Sequence, residues 1–119
     1  MAEANESHLH VPDVLHSEYE SVPAIAGILN VFLGSLSEML DGMRTAVNGG
    51  DAKTLSSLAH QLKGAGGGYG YPMITDVAGQ LEKAADENDW EFVTVHMAEL
   101  ESLCAAAIRG ANPSAGETS

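Results

Sequence analysis

The sequence contains little of several things that define common protein classes. It has one cysteine, Cys104, and five lysines and arginines against 17 aspartates and glutamates, which gives a formal net charge of −12 at pH 7. A single cysteine excludes an internal disulfide and is typical of a reducing, cytoplasmic compartment. The deficit of basic side chains argues against binding nucleic-acid phosphates or an anionic membrane. We therefore expect an acidic cytoplasmic protein that is monomeric, because its charge opposes self-association.

Aromatic residues and long apolar runs are also scarce. Phe, Trp and Tyr together make up 5% of the chain, and no apolar run approaches the roughly 20 residues of a membrane span. The first ten residues, MAEANESHLH, lack the basic start and apolar centre of a signal peptide. In contrast, Ala, Leu, Met and Glu are plentiful and favour helices. The 119 residues have room for one domain with a core of its own.

Apolar residues spaced by three and four positions predict four helices. These helices begin near Pro23, after Asp51, at Pro72 and at Trp90. Asp51 is positioned to cap the second helix. Short connections favour antiparallel neighbours, so the expected fold is an all-α, antiparallel up-and-down four-helix bundle. The sequence leaves open whether a short extra N-terminal helix forms around Val14–Tyr19. The bundle is expected to span residues 12–109, between flexible polar tails at residues 1–11 and 110–119.

The segment HQLKGAGGGYG, residues 60–70, interrupts an otherwise ordinary amphipathic pattern. A glycine inside a helix costs about 1 kcal/mol relative to alanine, so this glycine run needs an explanation. On a helical wheel whose buried side is marked by Leu55, Leu58 and Leu62, His60 faces solvent. Lys63, Gly64 and Gly67 share the exposed face with His60. Gly66 points the other way, where a missing side chain lets a neighbouring helix come close.

The shared face of His60 and Lys63 favours phosphoryl chemistry. An exposed imidazole is partly unprotonated at neutral pH and can act as a nucleophile towards a phosphoryl group. Lys63 lies one turn further and can offset the added negative charge. Gly64 and Gly67 clear the surface so that an aspartate of another protein can approach His60. In-line phosphoryl transfer depends chiefly on positioning and charge neutralisation, which such an open face supplies.

The segment AHQLKGAGGGYG, residues 59–70, resembles the signature of histidine phosphotransfer (HPt) domains, His-x-x-Lys-Gly followed by small residues. The segment AGQLEKAA, residues 78–85, is similar to the next helix of that family, and the resemblance extends over residues 12–108. It implies a phosphorelay carrier in two-component signalling. His60 would be the phospho-acceptor, Lys63 the charge-stabilising residue, and Gly64 and Gly67 the positions that give a partner steric access.

The resemblance also implies partners and supporting residues. The partners would be receiver domains of response regulators, a hybrid histidine kinase, or both, and Mg²⁺ would be bound by the receiver alone. The chain itself would hold no metal, cofactor or nucleotide and would not be a kinase. Relatives orient the imidazole with a polar side chain from the following helix. Here that residue is Glu82, where several relatives carry Gln, or alternatively Gln80. Docking-surface candidates near the site are Gln61, Gly68, Tyr69 and Tyr71.

Two other functions compete with the relay. The first is a helical adaptor that binds a receiver or kinase domain without being phosphorylated. The second is an enzyme that uses His60 as a general base, which an exposed helix face without a concave pocket disfavours. A phosphate-binding Walker loop is excluded because Lys63 precedes the glycines.

The remaining histidines and the cysteine are expected to have no role in the chemistry. We expect His8–His10 and His16 to belong to a solvated tail rather than to a metal site. His96 is expected to be partly buried, and Cys104 to be an inert core thiol.

Overall fold

The fold was analysed in a computed structural model that describes residue 12 and residues 14–111. These residues form four α-helices: α1 (Pro23–Asn48), α2 (Ala52–Gly68), α3 (Pro72–Asp86) and α4 (Trp90–Ala111). Each helix packs against the helix that follows it, and α1 also packs against α4, which closes the bundle. The predicted all-α four-helix bundle is confirmed.

Local sequence signals define where the helices begin and turn. Asp51 caps α2, because its side chain accepts a hydrogen bond from the Thr54 backbone N–H at 3.1 Å. Pro72 begins α3, where its fixed φ suits the first turn and its missing N–H leaves no helix hydrogen bond unmade. Gly50, in the connection between α1 and α2, has a φ of +68°, a left-handed conformation that favours glycine. These short connections leave consecutive helices little choice but to run antiparallel.

Hydrogen bonds between α2 and α3 establish their antiparallel pairing. Ser56, near the start of α2, bonds to Asp86 at the end of α3. Thr75, near the start of α3, donates to the backbone carbonyl of Lys63 in the second half of α2 at 2.7 Å. Because the two contacts pair opposite ends of the helices, the middle of α2 faces the middle of α3.

The core is built from aliphatic side chains of all four helices. The largest fully buried ones include Leu36, Met43, Leu55, Leu62, Ile74, Leu81, Leu100 and Leu103. Burying one such side chain stabilises the fold by about 1.5–3 kcal/mol. On α2 the buried positions are Leu55, Ala59, Leu62 and Gly66. This burial fixes the rotation of α2 and directs the opposite face of the helix to solvent.

The short N-terminal helix considered for Val14–Tyr19 does not form. Residues 14–22 form a bend and turns that cross one end of the bundle. Their polar groups bond to other elements: the Leu15 N–H donates to the Ala106 carbonyl, and the Ser17 hydroxyl donates to the Tyr69 carbonyl. These tertiary hydrogen bonds replace the i to i−4 bonds that a helix would need. The predicted tail at residues 1–11 and residues 112–119 of the predicted C-terminal tail lie outside the described residues, and α4 continues through Ala111.

Candidate functional site

His60 lies in the middle of α2, on its solvent-facing side. The side chain is 66% exposed, whereas its neighbours Ala59 and Leu62 are buried. The apolar spacing of α2 thus places the imidazole where the helical wheel predicts it. A group at this position is accessible to another macromolecule without any rearrangement of the core.

Glu82 of α3 joins the two chemistry-bearing side chains of α2. Its Oε2 lies 3.0 Å from Nδ1 of His60, and its Oε1 lies 2.9 Å from Nζ of Lys63. The Glu82 side chain is only 20% exposed, because it lies in the groove between α2 and α3. One carboxylate therefore bridges the imidazole and the ammonium group.

The ionised carboxylate of this cluster determines which nitrogen of the imidazole carries a hydrogen. The hydrogen bond from Lys63 lowers the pKa of Glu82, and the hydrogen bond from His60 adds to this effect, while partial burial opposes it. An ionised carboxylate can only accept hydrogen bonds, so Nδ1 of His60 carries a hydrogen and donates it. In neutral imidazole the lone pair then resides on Nε2. In the described part of the chain, no residue forms a hydrogen bond with that nitrogen.

Two small residues of α3 hold the lysine in place, and neither stood out in the sequence. The Thr75 hydroxyl donates to the Lys63 carbonyl, and a Cβ added to Gly79 would lie 3.2 Å from Cδ of Lys63. The aliphatic part of Lys63 therefore lies against the bare backbone of Gly79 on its way to Glu82. The available signal was the spacing of 75, 79 and 82, which places these residues on one face of α3.

The glycines of α2 have different surroundings. Gly64 is open, because a Cβ added there would have no heavy atom within 4 Å beyond its own helix backbone and chain neighbours. At Gly66 a Cβ would lie 3.1 Å from the backbone nitrogen of Thr75, so its absence permits the close approach of α3, as predicted. Gly67 is exposed, yet a Cβ there would lie 3.2 Å from the Thr75 hydroxyl. Gly67 thus combines an open surface with a packing requirement that the sequence alone did not indicate.

The docking-surface candidates separate into exposed and buried residues. Gln61 and Gly68 are exposed on α2, and Tyr69 is partly buried against Phe32, with 4.6 Å between the ring centroids. Tyr71 is only 2% exposed, so its prediction as a docking residue is wrong. Its ring packs in the core, stacked against Phe32, because the α2–α3 turn directs it inward.

The alternative partner for His60, Gln80, lies on another side of α3. It lines a depression between α3 and α4 together with Lys83 and His96. Two positions separate Gln80 from Glu82, and on a helix that spacing directs side chains to different faces. The structure therefore brings Glu82 to the imidazole and leaves Gln80 beside α4.

The other residues that the sequence analysis singled out, His96 and Cys104, lie away from the imidazole of His60. His96 is partly buried, as predicted, and its Nδ1 lies 3.0 Å from Glu99. Cys104 is buried, and burial raises the pKa of its thiol to about 12, as suits an inert core residue. Among the described residues, no group of three or more His, Cys, Asp and Glu is arranged to hold a metal ion. His8–His10 lie outside the described residues.

An apolar surface on α1 adjoins this part of the bundle. Residues 23–37 contain no charged side chain, although the whole chain carries a net charge of −12. Val31 is 75% exposed and Ile28 is exposed as well, while Phe32 of the same helix stacks on Tyr69 at the end of α2. An exposed apolar surface of this kind is characteristic of interaction sites.

Comparison with known protein families identifies the class to which this geometry belongs. The family model of the Hpt domain matches residues 27–110, more than half of the chain. No curated protein and no solved structure matches the chain. The chain therefore belongs to the Hpt domain family, whose members are histidine phosphotransfer carriers of phosphorelays and interact with receiver and kinase domains. No helix of the described residues has the length and apolar character needed to cross a membrane.

Proposed function

We propose that this chain carries a phosphoryl group on His60. It accepts the group from the phospho-aspartate of a receiver domain, or from a histidine kinase, and passes it to the aspartate of a response regulator. The supporting observation is the exposed imidazole whose Nδ1 donates to the ionised Glu82, with Lys63 bound to the same carboxylate. This arrangement leaves Nε2 as the nucleophilic nitrogen.

The bonds formed and broken in the transfer balance without a cofactor bound by this chain. The lone pair of Nε2 on His60 attacks the phosphorus of the aspartyl phosphate as the bond from phosphorus to the aspartate oxygen breaks. The electron pair of that bond remains on the aspartate carboxylate. Nδ1 keeps its hydrogen, so the phosphorylated ring is cationic and faces Glu82. Lys63 offsets the charge of the phosphoryl oxygens, and the Mg²⁺ of the reaction belongs to the receiver domain.

The surface around His60 suits a receiver domain as the partner. Gly64 exposes bare backbone about one helical turn from His60, Gly68 does so about two turns away, and Gln61 adds an uncharged polar side chain. The apolar residues Ile28 and Val31 are exposed on α1, whose Phe32 stacks on Tyr69 at the end of α2. Such a surface admits the phosphorylated aspartate to the imidazole, and the apolar part supplies the contact area. The cytoplasmic location inferred from the single cysteine is part of this proposal.

Transfer from a radiolabelled phosphorylated receiver domain tests the function. The wild-type chain is expected to gain an acid-labile, base-stable label, and His60→Gln is expected to gain none. His96→Gln serves as the matched control and keeps the label, because His96 lies between α3 and α4. Equal labelling of His60→Gln and the wild type would contradict the proposal. Binding of the receiver by a wild-type chain that takes up no label would favour the adaptor instead.

A further inference from the structure

Glu82 is an acid at a position where an amide would provide the same hydrogen bond. We propose that its negative charge keeps Nδ1 of phosphorylated His60 protonated and thereby speeds the departure of the phosphoryl group. This inference rests on the proposed function and extends it. It makes Glu82 a positioning and electrostatic residue that determines how long the phosphorylated carrier persists.

The charge of the leaving group determines how readily the bond between phosphorus and Nε2 breaks. In hydrolysis a water oxygen bonds to phosphorus as the bond between phosphorus and Nε2 breaks, which releases inorganic phosphate. When Nδ1 of the phosphorylated ring carries a hydrogen, the electron pair of the broken bond returns to a neutral imidazole. When Nδ1 has lost that hydrogen, the same step must expel an imidazolate anion, which is a far poorer leaving group. A carboxylate 3.0 Å from Nδ1 stabilises the protonated ring through a charge-assisted hydrogen bond. A glutamine can accept that hydrogen bond but supplies no charge.

The charged side chains of the neighbouring turns and helices leave this role to Glu82. Lys63 shares the carboxylate, and it can turn to the phosphoryl oxygens once they are present, so that Glu82 faces the imidazolium alone. Asp86, one turn further along α3, is bonded to Ser56. On α1, which packs on the other side of α2, Arg44 is paired with Asp41 and Glu101.

The expected effect of Glu82→Gln is a longer-lived phosphohistidine. A partly exposed ion pair changes a protonation equilibrium modestly, so the loss of phosphate should become roughly two- to fivefold slower near neutral pH. In acid the two proteins should converge, because Nδ1 is then protonated in both. The difference should therefore widen as the pH rises from acidic to neutral.

The experiment phosphorylates His60 directly with potassium phosphoramidate and removes the excess reagent. Loss of phosphohistidine is then followed by ³¹P NMR at a series of pH values. Glu87→Gln is the matched control, because it removes an exposed carboxylate near the end of α3 that lies on the side of α4. The control is expected to follow the wild-type profile, and Glu82→Gln to be slower at neutral pH. Superimposable profiles of Glu82→Gln and the wild type would overturn the inference.

A second comparison separates the action on Nδ1 from an action through the lysine. Glu82→Gln is combined with Lys63→Met, which keeps an unbranched side chain one atom shorter than lysine and removes its charge. The slowing caused by Glu82→Gln is expected to persist in the Lys63→Met background. Its disappearance there would mean that Glu82 acts only by restraining Lys63, which overturns the inference.

The two proposals fail in distinguishable ways. If a phosphorylated receiver transfers nothing to the wild-type His60, the proposed function fails. If transfer occurs normally but the pH profiles do not depend on Glu82, only the inference fails.

Discussion

Glu82 is the side chain of α3 that contacts the imidazole. It accepts hydrogen bonds from His60 and Lys63 at 3.0 and 2.9 Å. The sequence identified both Glu82 and Gln80 as candidates, because either can reach an imidazole from a neighbouring helix. Choosing between them requires knowing how α3 is oriented about its own axis. Buried Val77, Ala78 and Leu81 fix that rotation and place position 82 in the groove with α2.

Stability measurements as a function of pH test the ionisation of Glu82. The pKa of Glu82 is lowered in the folded state, chiefly by Lys63. The contribution of Glu82 to the free energy of unfolding is therefore fully present above the unfolded-state pKa of about 4.3. This contribution is lost as the pH falls through the still lower folded-state pKa. Glu82→Gln should therefore lower the free energy of unfolding by less than about 1 kcal/mol at neutral pH. In acid the two proteins should be equally stable. Urea unfolding of both proteins at several pH values checks this, and a cost that stays constant into acid would contradict it.

At the scale of elements, the sequence determined the exposed face of α2 but not its contacts with α3. The apolar spacing was sufficient to direct His60 and Gly64 outward and Gly66 inward. The contact of Thr75 with Gly67 and the passage of Lys63 over Gly79 depend on the register of the two helices. A short connection sets the direction of a helix and leaves its register to the packing of side chains.

Two alanine substitutions on α2 should change stability in opposite directions. Gly64→Ala meets no neighbouring atom and should stabilise the fold by about 0.5–1 kcal/mol, because glycine loses more backbone entropy in a helix. Gly66→Ala would press on Ile74 and on the backbone of Thr75 and should destabilise it by about 1–3 kcal/mol. Urea unfolding of the two variants measures both effects. Equal shifts of the same sign would show that α2 and α3 do not pack as described.

The N-terminal segment shows where local patterns give no answer. Residues 14–22 contain enough apolar side chains to suggest a helical turn, yet three of their hydrogen bonds go to α4 and to the α2–α3 turn. One of these bonds runs from the Glu18 N–H to the carbonyl of Gly70, whose φ is +84°. A Cβ at Gly70 would crowd the backbone nitrogen of Glu18, at 2.9 Å. Contacts between residues so far apart in sequence cannot be read from a periodicity.

For the whole molecule, composition predicted the fold class and the acidic character but not the location of the apolar surface. Ile28 lies at a three- and four-residue spacing from the apolar residues Ile25 and Phe32 of α1, yet the structure leaves it exposed with Val31. The reverse applies to Tyr71, which looked like a surface residue of a turn and is buried. In both cases the three-dimensional course of neighbouring elements decides exposure, and a one-helix pattern does not contain that information.

The exposed apolar part of α1 should contribute to partner docking. Val31→Asp places a charge on this surface and should slow phosphoryl transfer from a receiver domain severalfold, because a desolvated charge opposes association. The fold should be unaffected, since Val31 is 75% exposed. Val95→Asp makes the same change at an exposed position of α4 and should leave transfer unchanged. Transfer rates at limiting receiver concentration measure the effect, and equal rates for the two variants would remove α1 from the docking surface.

The position of the phosphoryl group on the imidazole tests the account most directly. Two-bond ¹H–¹⁵N correlation spectra of the phosphorylated, ¹⁵N-labelled protein distinguish the two nitrogens of His60. The hydrogen bond from Nδ1 to Glu82 predicts phosphorylation at Nε2, with Nδ1 still carrying its hydrogen. A phosphoryl group on Nδ1, or on any residue other than His60, would contradict the account.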